Sequence, residues 1–464
     1  MIAGLAQRQS EPAHCLRPPS AAIPADWPRF RIALYWQLLR NYIDTWPARL
    51  YDDLVVDCSP QFPNTWLVSD PAIIRDVFKR DSTQFQACPQ QRRICASLFG
   101  GPSIATTEGE DWAADRSNYE AALSPANLKS ADAAIAGNAE RLIESWAQQG
   151  ETVRIDKGIA RFALANIVKL ALSWDASPQL DAIATGIDGA RSSVGQISMA
   201  AMLQKLNFVK LNPRGEGAGA LATLERMVDQ EIAGRNSGRI AAKPDLLGAY
   251  LGGREPGCNS TALDRRARSN VLAFIAAGFD TTASSLTWFL YLLSLSPQAQ
   301  HHVRNELCGP GSEGASQGIT KFPYTRAALS EALRLYPPLP LLARTAMQDY
   351  SFGSVHIPRG SNVFVSPYLV HRHRRLWENP NEFDPERFLG SRRKEHVTGA
   401  YLPFGTGRRS CVGMQLAYRE IVAATASILR TFDLAASHSH PVRVKSGMGL
   451  RAADGIVLHL SPRP

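Results

Sequence analysis

A chain of 464 residues, 45% apolar and 20% charged, is long enough to bury a large core, and by length alone would divide into two or three domains. Its seven cysteines are odd in number and unevenly spaced with no CxxC pair, which argues against a disulfide framework or a zinc site and fits a reducing cytoplasm. The net charge of +9 does not indicate nucleic acid, because the basic runs HRHRR (371–375) and SRRK (391–394) have neither aromatic interleaving nor a binding module; they read as a solvated basic face able to dock an acidic protein.

The first 29 residues carry prolines, arginines and a histidine where a signal peptide or membrane anchor needs an unbroken apolar run, so they read as a loose tail. Residues 30–464 show no internal repeat, and the Gly/Pro-rich patches at 211–218, 252–259 and 309–318 are short, which favours a single domain over linked ones. Early in the chain, DLVVDCSPQFPNTWLVSD is two β-rich runs around a turn; Asp70 can then cap a helix whose first position suits Pro71. Apolar residues at helical spacing follow over 129–149, 160–173, 218–234, 262–296, 322–336 and 413–432.

Within the fourth of these, residues 271–293 are long enough to span a bilayer, but Asp280 lies near the middle, where an ionisable group costs about 3 kcal/mol or more. A buried central helix is the better reading. FGSVHIPRGSNVFVSPY (352–368) alternates around a Pro-Arg-Gly turn, and Asp454-Gly455 is a second hairpin signal. The fold class is therefore mainly α with a small β lobe.

The stretch PFGTGRRSCVG (403–413) surrounds Cys411 with glycines and arginines just before a helix. Glycines permit positive φ and close backbone approach to a flat ligand, while the helix N-terminus and the cations favour a thiolate. Three roles stay open on these residues alone: a metal or cofactor ligand, a redox or nucleophilic thiol, and an inert buried cysteine.

The pattern Phe404-x-x-Gly407-x-Arg409-x-Cys411-x-Gly413 resembles the haem-binding signature of the cytochrome P-450 superfamily, and four further segments match that family in order. AAGFDTT (276–282) is similar to the oxygen-binding groove of the long central helix, with Ala277 and Gly278 beside the cofactor and Asp280 and Thr281 as the acid and alcohol that steer protons. Glu331-x-x-Arg334 and Arg387 in DPERF look like a structural trio holding the cysteine loop. Trp112-x-x-x-Arg116 and Arg344 in LLARTA match residues that, with Arg409, face the haem propionates.

The resemblance implies a cytochrome P-450 fold with haem b between the central helix and the cysteine-loop helix. Cys411 would be the axial metal ligand, with Phe404, Gly405 and Gly413 shaping the loop. It implies O₂ activation and oxidation of a lipophilic small molecule. Phe279, Leu341, Met448, the variable loop near 86–106 and the region 190–212 would line the pocket. No flavin or ferredoxin domain follows Pro464, so electrons are expected from an acidic ferredoxin or flavodoxin with its NAD(P)H reductase. A haem-thiolate peroxygenase, isomerase or dehydratase is one alternative, and a non-enzymatic sensor another. The sequence departs from the family where His373 and Arg374 replace a common Asp-Pro, which bears on loop shape only.

Overall fold

The computed structural model describes residues 16–28, 31–79, 83–175, 180, 183–184, 218–252, 261–309, 319–447 and 449–463. Helix α1 (Arg31–Asn41) precedes strands β1 (Val55–Asp57) and β2 (Thr65–Val68), which pair antiparallel across the turn expected from the sequence. Asp70 opens α2 (Pro71–Lys79): its Oδ1 accepts from the amides of Ala72 at 2.8 Å and Ile73 at 3.2 Å, and Pro71 supplies a first residue with no N–H to satisfy.

Next come β3 (Phe85–Ala87), α3 (Pro89–Phe99), α4 (Gly109–Ala122), α5 (Pro125–Ala147), β4 (Thr152–Arg154) and α6 (Ile155–Leu172). The segment expected as a variable loop near 86–106 thus contains a three-turn helix, entered through Pro89 and closed by Gly100 at φ 73°. After α7 (Ala218–Asn236) and α8 (Leu246–Leu251), the 35-residue α9 (Thr261–Leu295) leads to α10 (Pro297–Cys308) and α11 (Pro323–Leu335).

Strands β5 (Leu342–Ala346), β6 (Tyr350–Phe352), β7 (Val355–Ile357) and β8 (Asn362–Val365) come before the cysteine loop. It is followed by α12 (Met414–Thr431), β9 (Phe432–Ala436), β10 (Val444–Ser446), β11 (Leu450–Ala452) and β12 (Val457–Pro462).

The larger sheet has the order β1-β2-β8-β5-β3, a smaller one β4-β12-β9, and β6-β7 and β10-β11 are hairpins. Both turn signals read from the sequence sit between strands that do not pair with each other. Pro358-Arg359-Gly360 separates β7, which pairs with β6, from β8, which pairs with β2 and β5. Asp454-Gly455 separates β11 from β12, whose partners are β4 and β9. Long-range pairing decides these registers, and a local turn signal cannot report it.

Helix α9 is the axis of the core. It packs most extensively on α6 and also against α11, α12 and β9. Leu286, Phe289, Leu290 and Leu292 are fully buried, each stabilising the fold by roughly 1.5–3 kcal/mol. Among the described residues no helix is long and apolar enough to cross a membrane.

The tail expected to be loose through residue 29 is tied down over the part the structure describes. The amide of Ala21 donates to the Tyr368 hydroxyl at 3.0 Å, and the Tyr336 hydroxyl donates to the Pro19 carbonyl at 2.6 Å. Residues 1–15 lie outside the described residues.

Candidate active site at the cysteine loop and the central helix

The loop 404–411 is closed by a bond from the Cys411 amide to the Phe404 carbonyl at 2.9 Å. Gly405 and Gly407 sit at φ 68° and 74°, where a side chain would be strained, and Gly413 caps α12 at an ordinary φ of −86°. The Phe404 ring packs edge-on against Tyr418 at 5.3 Å, which fixes the loop on α12. Cys411 is exposed although its neighbours are partly covered. Burial pushes its thiol pKa up, against the opposing pull of the Gly413 amide and the Arg116 guanidinium. The Gly413 amide and Arg116 act in the direction expected from the sequence, and coordination to a metal would remove the proton.

Along α9, Ala277 is exposed and Thr281, one turn on, is half-buried, within a helix that is otherwise largely buried. Thr281 Oγ1 donates to the Ala277 carbonyl at 2.7 Å, so its lone pairs are left to accept. Gly278 is not part of that open face. A Cβ there would come within 2.4 Å of Ile167 Cδ1, so the glycine lets α9 approach α6. Asp280 is buried at 6%, and a Cβ on Gly449 would lie 3.4 Å from its Oδ2. It is not an acid open to solvent.

Phe279 is 1% exposed inside the main core cluster and is not among the residues that line the cavity beside the cysteine loop. Leu341 is half-buried against Ala343, Cys88 and Phe364. Met448 and the region 190–212 lie outside the described residues.

The structure brings Glu331, Arg334 and Arg387 together. Arg334 donates to both Glu331 oxygens at 2.7 Å, Arg387 Nε lies 3.3 Å from Glu331 Oε1, and Arg334 also donates to the carbonyls of His371, Pro380 and Glu382. Beside them His371 accepts from the Leu402 amide at 2.7 Å and faces the Arg334 carbonyl at 3.1 Å, so it is neutral and ties α11 to the start of the cysteine loop. Burial and Arg334 lower its pKa to about 3. The run HRHRR is turned inward only in part. His371, Arg372 and His373 are buried, with Arg372 stacked 3.9 Å over Tyr368, while Arg374 and Arg375 are exposed and Arg374 pairs with Asp52 at 2.6 Å.

A cavity of about 290 Å³ opens between β3, α4, β5 and the loop; Phe78, Trp112, Glu108, Arg344, Arg408 and Arg409 are among its lining residues. Arg344 faces it with only its own strand's Ala343 carbonyl as acceptor and, among the described residues, no carboxylate partner; burial and Arg409 pull its pKa down to about 10. Trp112 lies under the guanidinium of Arg409 at 4.9 Å. Arg116 departs from the expected set, donating instead to the Ser410 carbonyl and to Glu120, both at 2.7 Å, because Glu120 waits one helical turn away. An accessible Cys411, a half-buried cation without a carboxylate partner among the described residues, an indole and two positive-φ glycines form a set that fits a flat haem carrying two carboxylates.

Two acids escaped the sequence reading. Glu108, immediately before Gly109, pairs with Arg409. Glu420, on α12, is 2% exposed beside Thr282 and Asn166, and burial pushes its pKa up to about 8. Helical spacing shows Glu420 on the apolar face of its segment, which is the one signal that could have found it.

A family model described as Cytochrome P450 matches residues 48–459. Over 422 residues the chain is 30% identical to the taurochenodeoxycholic 6 alpha-hydroxylase of Sus scrofa, covering 86% of this chain and 82% of that protein. Over 248 residues it is 33% identical to the cyclooctatin synthase of Streptomyces melanosporofaciens, covering 53% of each. The solved structure of retinoic acid bound cyanobacterial CYP120A1 matches with a TM-score of 0.75 at 24% identity, covering 87% of this chain and 93% of that one, a likeness of fold. What the ten-residue cysteine motif resembled is therefore what nearly the whole chain matches: it belongs to the cytochrome P450 family of haem-binding monooxygenases.

Proposed function

We propose that this protein binds haem b through Cys411 and hydroxylates or otherwise oxidises a lipophilic small molecule, with two electrons delivered by a separate acidic ferredoxin or flavodoxin and its NAD(P)H reductase. The observation that carries the reading is the accessible Cys411 thiol at the start of α12, held beside a cavity lined by Trp112, Arg344 and Arg409. Bound haem supplies the iron at which O₂ is activated. The chain's own residues hold it: Arg344 and Arg409 offer charge-assisted bonds to carboxylates, and Gly405 and Gly407 let the backbone approach the ring.

Thr281 spends its donor on Ala277, so its oxygen can accept from a water beside the exposed Ala277 and hold that water in place with its other proton free to move on. Asp280, the adjacent acid, is the proton source for that site. Glu331, Arg334 and Arg387 keep the loop in place and take no part in the chemistry. Leu341, Met448, the helix within 86–106 and the region 190–212 are the proposed substrate contacts. The names of relatives, a taurochenodeoxycholic hydroxylase and a retinoic acid complex, support a lipid-like substrate. A cytoplasmic location and a single catalytic domain over 30–464 complete the reading.

The test is the carbon monoxide difference spectrum of the reduced protein. The parent is expected to give the red-shifted Soret band of thiolate ligation and Cys411→Ser to lack it; a Cys411→Ser protein that keeps the band overturns the assignment. Turnover that requires NAD(P)H and a donor protein supports monooxygenation, whereas turnover with peroxide alone, or with no oxidant, moves the reading to a peroxygenase or an isomerase.

A further inference from the structure

We infer that Glu108 is a positioning residue for the acidic edge of the cofactor: a third carboxylate built into the propionate cavity, which holds Arg409 in place and lowers the reduction potential of the bound haem. The inference rests on haem occupying this cleft, which the carbon monoxide spectrum of the parent reports separately.

Glu108 occupies the N-cap position of α4, yet its side chain accepts no capping bond from that helix. It turns instead into the cavity. One oxygen pairs with Arg409 Nη2, and the other accepts from the Ala87 amide at 3.2 Å. Ala87 is the cross-strand partner of Arg344, so one carboxylate joins the edge of the sheet that carries Arg344 to the loop that carries Arg409. Arg409 is anchored further by the carbonyls of Thr107 at 2.8 Å and Ile104 at 3.4 Å, which leaves it oriented before any ligand arrives.

Charge counting shows why the acid matters. Arg344, Arg408 and Arg409 line the cavity together with Glu108 and Glu110. Both Arg344 and Arg409 are half-buried, so the Glu108 carboxylate, paired with one and bonded to the strand beside the other, offsets positive charge that water only partly solvates. With two propionates added, Glu108 becomes an extra fixed negative charge in a partly dry space, where screening is weak. A negative charge near a haem disfavours adding an electron. Glu110 lines the same cavity but is exposed, so water screens its charge and it serves as the control.

The experiment is spectroelectrochemical titration of substrate-free holoprotein, with haem transfer to apomyoglobin measured in parallel. Glu108→Gln is expected to favour the reduced form three- to tenfold, about 30 to 60 mV at 59 mV per tenfold, and to lose haem no faster than the parent, because the amide oxygen and the carbonyls of Thr107 and Ile104 still orient Arg409. Glu110→Gln is expected to shift the potential less, and Glu108→Asp, which keeps the charge, to stay near the parent. An unchanged or lowered potential in Glu108→Gln overturns the inference, whatever happens to stability. So does a Glu108→Asp protein whose potential moves as far as that of Glu108→Gln, since the negative charge would then not be what sets it.

Discussion

Thr281 illustrates how one hydrogen bond limits what a residue can do. Its hydroxyl proton is committed to the Ala277 carbonyl, so it serves as an acceptor, and Thr281→Ala removes that acceptor without disturbing electron entry. The expected outcome is that NADPH oxidation persists at a rate near the parent while product per NADPH falls severalfold and hydrogen peroxide rises to balance; full coupling would remove Thr281 from proton handling. Glu420 makes the converse case of an acid kept neutral. Its pKa is raised from the ordinary carboxyl range to about 8 by burial, so the unfolded chain releases the proton at lower pH than the folded one. Stability therefore falls as pH climbs from about 5 to 8 and levels off above it. Glu420→Gln carries no such penalty. Its melting temperature relative to the parent is expected to increase from pH 5 to pH 9, and a constant difference would show that Glu420 ionises normally.

At the scale of elements, the contact between α9 and α6 depends on a missing side chain. Gly278→Ala would drive a Cβ to 2.4 Å from Ile167 Cδ1, an overpacking of the kind that costs roughly 1–3 kcal/mol. Ile167→Ala removes both the Cδ1 and the Cγ1 that the new Cβ would meet and leaves Cβ at an ordinary 3.7 Å, so the double variant is expected to be more stable than the sum of the two single losses, with the carbon monoxide spectrum unchanged throughout. If Gly278→Ala instead altered the cofactor spectrum and Ile167→Ala rescued nothing, the glycine would face the ligand after all. The trio of Glu331, Arg334 and Arg387 joins α11 to the segment 378–387 in the same structural sense: each charge is buried, and losing Glu331 leaves two guanidiniums without their carboxylate.

Across the whole molecule, part of the positive charge in the two basic runs is turned inward or paired, since Arg372 is buried, Arg374 pairs with Asp52 and Arg392 with Asp384, while Arg375 and Arg393 stay exposed. Arg408 remains exposed beside the cysteine loop. Electron transfer from an acidic donor is expected to slow as ionic strength rises past the point where the screening length is about 8 Å, and Arg408→Glu to weaken docking severalfold without changing substrate affinity. Rates independent of salt with each acidic donor would assign these charges to solvation alone.

The cysteine loop, the helix capped by Asp70, the span of α9 and the partnership of Glu331 with Arg334 were all legible in the sequence, since each is encoded by spacing within a few residues: a cap three positions from its amide, glycines two apart, an acid and a base one helical turn apart. The direction in which a side chain points across the fold was not. Whether Gly278 faces a ligand or Ile167, whether His371 is a surface cation or a neutral link to Leu402, and whether Glu108 caps its helix or holds Arg409 are settled by residues far away in the chain. Only packing brings those partners within reach, so composition and periodicity identify the chemistry available and tertiary structure decides which groups meet to perform it.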